Sequence, residues 1–292
     1  MAVDDRLITQ KKKNGVPSVN EMELTKREFP WWMVAIIMII VITFWLIQTN
    51  SYFKEAFEII RAGLGVTITT TIWAYVIAVL IGLGVGLGRV SESAFLRNVS
   101  TFYVEIIRGV PLLVLIFFIA LVLIPAFTNA LSALGSLFLD MGWESIGSKL
   151  VVIQNRSIPM NTRAIISLAI TYGAFSAEIF RAGIQSIGKG QMEAARSQGM
   201  SHWQAMRCVI LPQAIRNVLP ALGNDLISML KDSSLVSILA VRDITQIARL
   251  YAGHSFRFTE AYSTLCVLYL TLTLILSLGL KVLERKMGNE RR

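Results

Sequence analysis

The chain of 292 residues predicts an all-α polytopic membrane protein, and three observations carry that expectation. Hydrophobic residues make up 54% of the sequence and charged residues only 16%, with a mean hydropathy of +0.60, which leaves too little charge to cover a soluble globule of this size. Uncharged runs recur near the ~20 residues that a helix needs to cross a bilayer. The basic residues behind the net charge of +9 gather at the two ends and between apolar runs rather than on one amphipathic face, so they read as orientation in a membrane and not as a nucleic-acid footprint.

Taken in order, residues 29–53 carry no charge, and Trp31, Trp32 and Trp45 sit where interfacial aromatics belong on a span over 31–48. A second run extends from Ala62 to Gly88. Its Gly82, Gly84, Gly86 and Gly88 series suits close helix packing, and Thr67, Thr69, Thr70 and Thr71 are expected to satisfy backbone or neighbouring acceptors. The third run is Gly109 to Leu139, in which Pro111 marks a kink or hinge in its helix and Pro125 is the expected end of the helix. The fourth span covers 163–187 and is interrupted by Glu178 and Arg181. Residues 213–241 are apolar but broken by Arg216, Asp225, Lys231 and Asp232, which predicts one embedded helix with a polar, partly non-helical continuation. Residues 261–280 form the last span, giving about six in all.

An even count agrees with the positive-inside rule. Arg6, Lys11, Lys12, Lys13, Lys26 and Arg27 at one end, and Lys281, Arg285, Lys286, Arg291 and Arg292 at the other, predict that both tails are cytoplasmic. Residues 49–58, about 126–162 and about 242–258 then fall outside as connecting segments, and Lys189 to Arg207 falls inside. The first 28 residues are polar and do not resemble a cleaved leader. Cys208 and Cys266 give no disulfide framework, and His202 and His254 fall on opposite sides, so no metal or cofactor is expected on this chain. No P-loop, zinc-ligand spacing or nucleophile elbow occurs, which removes the usual grounds for catalysis.

Lys189 to Ala214, KGQMEAARSQGMSHWQAMRCVILPQA, is a polar helix-turn-helix set in this apolar chain. Its Gly190, Gln191, Glu193, Ala194, Ala195 and Gly199, followed by Leu211-Pro212, resemble the cytoplasmic coupling loop of permeases of polar amino-acid ABC importers, the histidine/glutamine/glutamate/arginine type. The segments 66–90, 102–118, 168–187 and 229–241 resemble the same family, so the likeness covers about 58–285. Residues 31–48 are an addition to the shortest members, and 126–162 is longer than usual. The expected organisation is a tail over 1–30, an additional span over 31–48, a permease core over 58–285 with its coupling loop at 189–212, and a tail over 286–292.

A loop that transmits force needs a short rigid helix and a sharp turn. Glu193, Ala194, Ala195 and Arg196 favour helix, Gly199 stops it, Ser201 caps the next helix, and Pro212 bends or restarts the chain. Glu193 is the residue expected either to make a charged contact with a motor or to brace the loop. Within the spans, Glu105 with Arg108 and Glu178 with Arg181 are spaced for same-helix ion pairs that brace the helices. Glu178, Asp225, Lys231 and Asp232 are candidate pathway or structural polar residues, and KDSSL over 231–235 fits either a pathway lining or a helix break held by side-chain bonds.

The resemblance implies the type I importer fold in a bacterial inner membrane. It also implies a second permease subunit, identical or homologous, ATPase subunits that bind ATP and Mg, and an extracytoplasmic binding protein delivering a polar or charged L-amino acid. No nucleic acid enters that scheme; membrane lipid does. An ion-coupled secondary transporter is the alternative, but it calls for inverted repeats, which the two halves do not show, and has no use for such a loop. A non-transporting membrane scaffold would not need polar residues along several helices.

Overall fold

The structure, a computed structural model, describes the backbone of residues 31–289; the expected cytoplasmic tail over 1–30 and the last three residues lie outside the described residues. Every regular element among the described residues is helical. The chain divides into a unit ending at Phe44 and a second beginning at Trp45. The first unit contributes most of helix α1, Trp31–Thr49, whose outward Ile37, Met38, Val41, Ile42 and Phe44 carry apolar side chains all round, as a lipid-exposed span does.

In the second unit, α2 (Ser51–Ile60) is capped by Asn50, whose side chain accepts from Tyr52 N at 2.9 Å, and runs through one tight turn into α3 (Leu64–Arg89). Residues 49–58 were expected to be a connecting segment; they are instead an amphipathic helix. The same correction applies to 242–258, where α12 (Ile244–Ser255) forms. Both helices bury an apolar face, Ala56 and Ile60 against Ile244, Ala248 and Ala252, with Ala261 and Leu265 of the last helix, α13 (Phe258–Asn289). Arg257 seals this cluster: it pairs with Glu55 at 2.8 Å and stacks on Tyr52 at 3.7 Å from the ring centroid.

The third run departs from expectation twice. Val110 and Pro111 are extended, so Pro111 does not kink a helix but separates α4 (Ala94–Gly109) from α5 (Leu112–Phe118) outright. Pro125, in contrast, does not end its helix. A single wide turn over Ile119–Leu123, in which Ile124 N–H reaches back to the Ile119 carbonyl, precedes it, and α6 continues from Ile124 to Asp140. The widened turn makes room for the proline ring and leaves its missing N–H harmless to the rest of the helix. The next carbonyl, that of Ala120, is left without a helical donor and receives Nη1 of Arg163 at 3.0 Å. Residues 126–162 are therefore mostly helical: α6 folds back onto α7 (Glu144–Val151) with their backbones close at Gly135 and Gly147, and Phe138 stacks on Trp143.

Helix α8 (Met160–Gln185) is the centre of the fold; 67% of its apolar window is buried, against 6% for α13, which faces outward. Small residues make this possible, because helices in a membrane associate by close packing rather than by exclusion of water. A β-carbon on Gly82 would stand 2.5 Å from Ser176 Cβ and one on Gly86 2.8 Å from Phe180 Cβ, while Gly84 meets open space. The glycine series thus packs α3 on α8 through alternate members. The threonines behave as expected: Thr70 bonds Asn161 Oδ1 at 2.7 Å, Thr71 the Thr67 carbonyl at 2.8 Å and Thr69 the Gly65 carbonyl at 2.7 Å.

After α8 come α9 (Lys189–Ser197), the short α10 (His202–Ala205), a second wide turn over Met206–Ile210, and α11 (Leu211–Asp232), with Pro212 in its first turn and Pro220 inside. A tight 3₁₀ stretch, Ser233–Leu239, follows and ends at Ala240 in the left-handed region, so the continuation expected to be partly non-helical leaves the α-helix as a tighter helical turn before the chain breaks. By length and apolarity, four described helices suffice to cross a bilayer: Ser51–Arg89, Leu112–Asp140, Met160–Gln185 and Phe258–Arg285. Of the two other expected spans, α1 is apolar over its whole length, with its described side chains forming the apolar stretch Val34–Thr49, while α11 is too polar for that measure, carrying Gln213, Arg216, Asn217, Asn224 and Asp225.

Candidate functional site: a capped hairpin beneath a charged brace

The hairpin at 189–212 is built as its sequence requires. Helix α9 ends on Gly199 at φ +83, where Gly199 N–H bonds the Arg196 carbonyl at 3.0 Å and Met200 N–H the Ala195 carbonyl at 3.2 Å, a Schellman closure that satisfies the last carbonyls. Ser201 then starts α10 through a reciprocal capping box: Gln204 N–H donates to Ser201 Oγ at 3.3 Å, and Ser201 N–H to Gln204 Oε1 at 2.8 Å. Leu211 and Pro212 carry the chain without a break into α11.

One side of α9 holds the hairpin to the bundle and the other is free. Ala195 is buried, and Met192 packs with Ile184, Met206 and Ile210, while Glu193, Ala194 and Gly190 are exposed. Gln191 meets Gln213 of α11 at 3.4 Å. His202 Nδ1 lies 3.3 Å from Glu92 Oε1 and ties the hairpin to the connection between α3 and α4. The result is a short, rigid, externally presented helix whose free face carries a carboxylate and small side chains.

Directly above lies a charged brace that the sequence only half revealed. Glu178 pairs with Arg181, as its spacing predicts, with Arg181 Nε at 3.0 Å from Glu178 Oε2, but it also pairs with Arg89 from α3. Glu105 and Arg108, expected to pair with each other, do not: Glu105 faces Arg89 at 3.8 Å and Arg108 lies over the Phe175 ring at 5.9 Å. Arg89 is the residue that sequence reasoning missed, since a basic residue at a span end reads only as an orientation signal.

The remaining polar candidates line the contact between α8 and α11. Tyr172 donates to Asp232 at 2.6 Å, Ser176 to Asp225 at 3.0 Å, and Tyr75 of α3 to the Leu222 carbonyl at 2.6 Å. Lys231 is exposed and stands apart from these bonds. Ser233 Oγ bonds the Leu230 carbonyl at 2.7 Å, a side-chain to backbone bond at the point where the α-helix tightens into the 3₁₀ stretch. An open cleft of about 640 Å³ between the C-terminal half of α8 and the N-terminal half of α11 has Glu178, Gly183, Arg216, Asn217 and Pro220 in its walls. The described residues contain no cluster of His, Cys, Asp or Glu able to hold a metal, and both cysteines are free.

Known proteins resemble this chain in sequence and in fold. The chain is 35% identical over 238 residues to the probable amino-acid permease protein YxeN of Bacillus subtilis, covering 82% of this chain and 95% of that protein. It is 35% identical over 190 residues to the glutamine transport system permease protein GlnP of Escherichia coli, covering 65% of this chain and 75% of that one. A solved amino acid ABC transporter with histidines superposes with a TM-score of 0.63 at 38% identity, over 78% of this chain and 94% of that chain. The ion-coupled alternative finds no support among these relatives. Residues 78–289 match the family described as binding-protein-dependent transport system inner membrane component, and the chain therefore belongs to that family of multi-pass ABC-importer permeases, which work with ATPase and binding-protein partners and are not enzymes themselves.

Proposed function

We propose that this chain is the permease subunit of an importer for a polar or charged L-amino acid. In this reading it pairs with a second permease subunit, receives cargo from an extracytoplasmic binding protein, and is driven by ATPase subunits that bind ATP and Mg. The observation that carries the reading is the hairpin: a polar helix, closed at both ends and free on its Glu193 face, on a chain otherwise made for lipid. Gly190, Gln191, Glu193, Ala194, Ala195, Gly199, Leu211 and Pro212 form the coupling element. Glu193 and Ala194 meet the ATPase, while Ala195, Gln191, Leu211 and Pro212 fix the hairpin to α8 and α11.

Closure of the ATPases pushes α9. Because Met192 is wedged against the ends of α8 and α11, and Arg89, Glu178 and Arg181 lock α3 to α8, the push moves packed helices together rather than bending one. Rigid-body rocking then alternates access to the path. Asp225, Asp232 and Glu178 stand along the α8–α11 contact as path-side or bracing groups, with Lys231 at its outer end. Six spans, with both tails and the hairpin on the cytoplasmic side, fit the charge distribution, and 31–48 is a brace outside the 58–285 core.

The test is ATPase activity in liposomes containing this chain, its ATPase and its binding protein, with a panel of amino acids. The expected result is stimulation by one amino acid that depends on the binding protein. Failure to assemble with any ATPase overturns the reading.

A further inference from the structure

We infer that the cleft beside the coupling hairpin is a binding site for an anionic phospholipid of the membrane leaflet the hairpin faces. The cleft holds about 570 Å³ between the ends of α3 and α8, the start of α4 and the hairpin. Its walls are apolar, formed by Ile184, Ile187, Met192, Met206 and Ile210, and its charged lining is cationic: Arg89, Arg97 and Lys189.

These cations are not equivalent. Arg89 is committed to Glu178 and Glu105. Arg97 is held in place by Nη1 donating to the Ser91 carbonyl at 3.1 Å, and Lys189 is exposed; among the described residues neither has a carboxylate within ion-pair distance. The neighbouring acid, Glu92, faces His202 instead. Two cations are thus left over at the rim of an apolar recess.

The position selects the ligand. The apolar spans Ser51–Arg89 and Met160–Gln185 both end at this cleft, which places it where hydrocarbon gives way to headgroups. Beside it, α4 turns Phe95, Val99, Phe102 and Ile106 outward at helical spacing, a lipid-facing stripe leading from the bilayer to the cleft. A free phosphate has no use for the Ile and Met walls. A phospholipid with net negative charge places its phosphodiester on Arg97 and Lys189 and an acyl chain along those walls, in the manner of basic pockets between spans. Bound there, it bridges α4 and the hairpin, since Lys189 opens α9.

This inference shares with the proposed function the placement of the hairpin at the inner membrane face, but its readout is lipid binding and does not depend on transport. Native mass spectrometry of the full permease–ATPase complex, titrated with phosphatidylglycerol or phosphatidylcholine, measures it. We expect one phosphatidylglycerol retained per chain, with a preference of roughly ten- to thirtyfold over phosphatidylcholine, about what two interfacial cations supply. Arg97→Gln with Lys189→Gln should abolish the preference, and Arg97→Lys with Lys189→Arg should keep it. Equal retention of both lipids by the unaltered complex overturns the site, as does an unchanged preference in the glutamine variant. Displacement of phosphatidylglycerol by millimolar inorganic phosphate overturns the lipid as its ligand.

Discussion

Arg163 is 5% exposed, yet no carboxylate pairs with it among the described residues. Its guanidinium instead satisfies carbonyls: Ile158 through Nε at 3.1 Å, Ala120 through Nη1 at 3.0 Å, and the Asn155 backbone and side chain through Nη2. The rigid fork suits this work because several acceptors are fixed by one planar group. Arg163→Met leaves those carbonyls unpaired and should cost about 1–3 kcal/mol, read as a lowered melting temperature of the purified chain. Arg163→Lys should recover only part of it. Asp243 is a second buried residue with a measurable signature. Its Oδ1 caps α12 by accepting from Gln246 N at 2.8 Å, while Oδ2 is buried without a partner, and burial raises its carboxyl above the usual aspartate range. The fold then holds that proton more tightly than the unfolded chain, so the stabilisation is present below the ordinary aspartate pKa and is lost as pH rises through the folded value. Asp243→Asn keeps a cap acceptor and removes the titration. Its melting temperature should fall less steeply above about pH 4 than that of the unaltered chain.

At the scale of elements, the contact of α3 with α8 is set by which glycines face it. Gly82→Ala places a methyl group against Ser176 and should cost about 1–3 kcal/mol. Gly84→Ala, two residues along the same helix, meets nothing within 4 Å and should be neutral or stabilising by up to about 1 kcal/mol. Thermal melting of the pair separates packing from propensity, and equal effects would refute the alternate-face reading. The hairpin presents the complementary case. Nothing lies within 4 Å of a β-carbon at Gly199, so only its left-handed backbone restricts substitution there. Gly199→Val should strain the turn by about 1–2 kcal/mol, whereas Asn and Asp tolerate that region. If this surface docks an ATPase, Gly199→Val and Gly199→Asp lower uptake per ATP hydrolysed while Gly199→Asn does not. Transport and ATPase assays on the same liposomes would show it.

For the whole molecule, the family match begins at residue 78, and contacts separate residues up to Phe44 from the rest. Deleting residues 1–48 should therefore leave binding-protein-dependent transport largely intact. Uptake abolished in a truncated chain that still inserts normally would give α1 an essential part in the cycle.

The membrane class, the hairpin, its Gly199 stop and its Ser201 cap follow from the sequence alone because each depends on local rules: charge density, run length, and the demands that Gly199 and Ser201 place on the backbone within a few residues. Glu178 with Arg181 was legible for the same reason, both lying on one helix. The partners across helices were not. Arg89 on Glu178, Arg163 on Ala120, Arg257 on Glu55 and Tyr172 on Asp232 join residues far apart in the chain, and no local pattern specifies which spans touch. Nor did Pro111 and Pro125 announce their different fates; one breaks its helix and the other does not, because only the latter follows a widened turn whose orphaned carbonyl finds Arg163. Sequence determined which residues must leave water and where the chain must turn, whereas the choice of partner for each buried polar group was made by packing, which alone brings a distant donor to an acceptor that cannot be left unpaired.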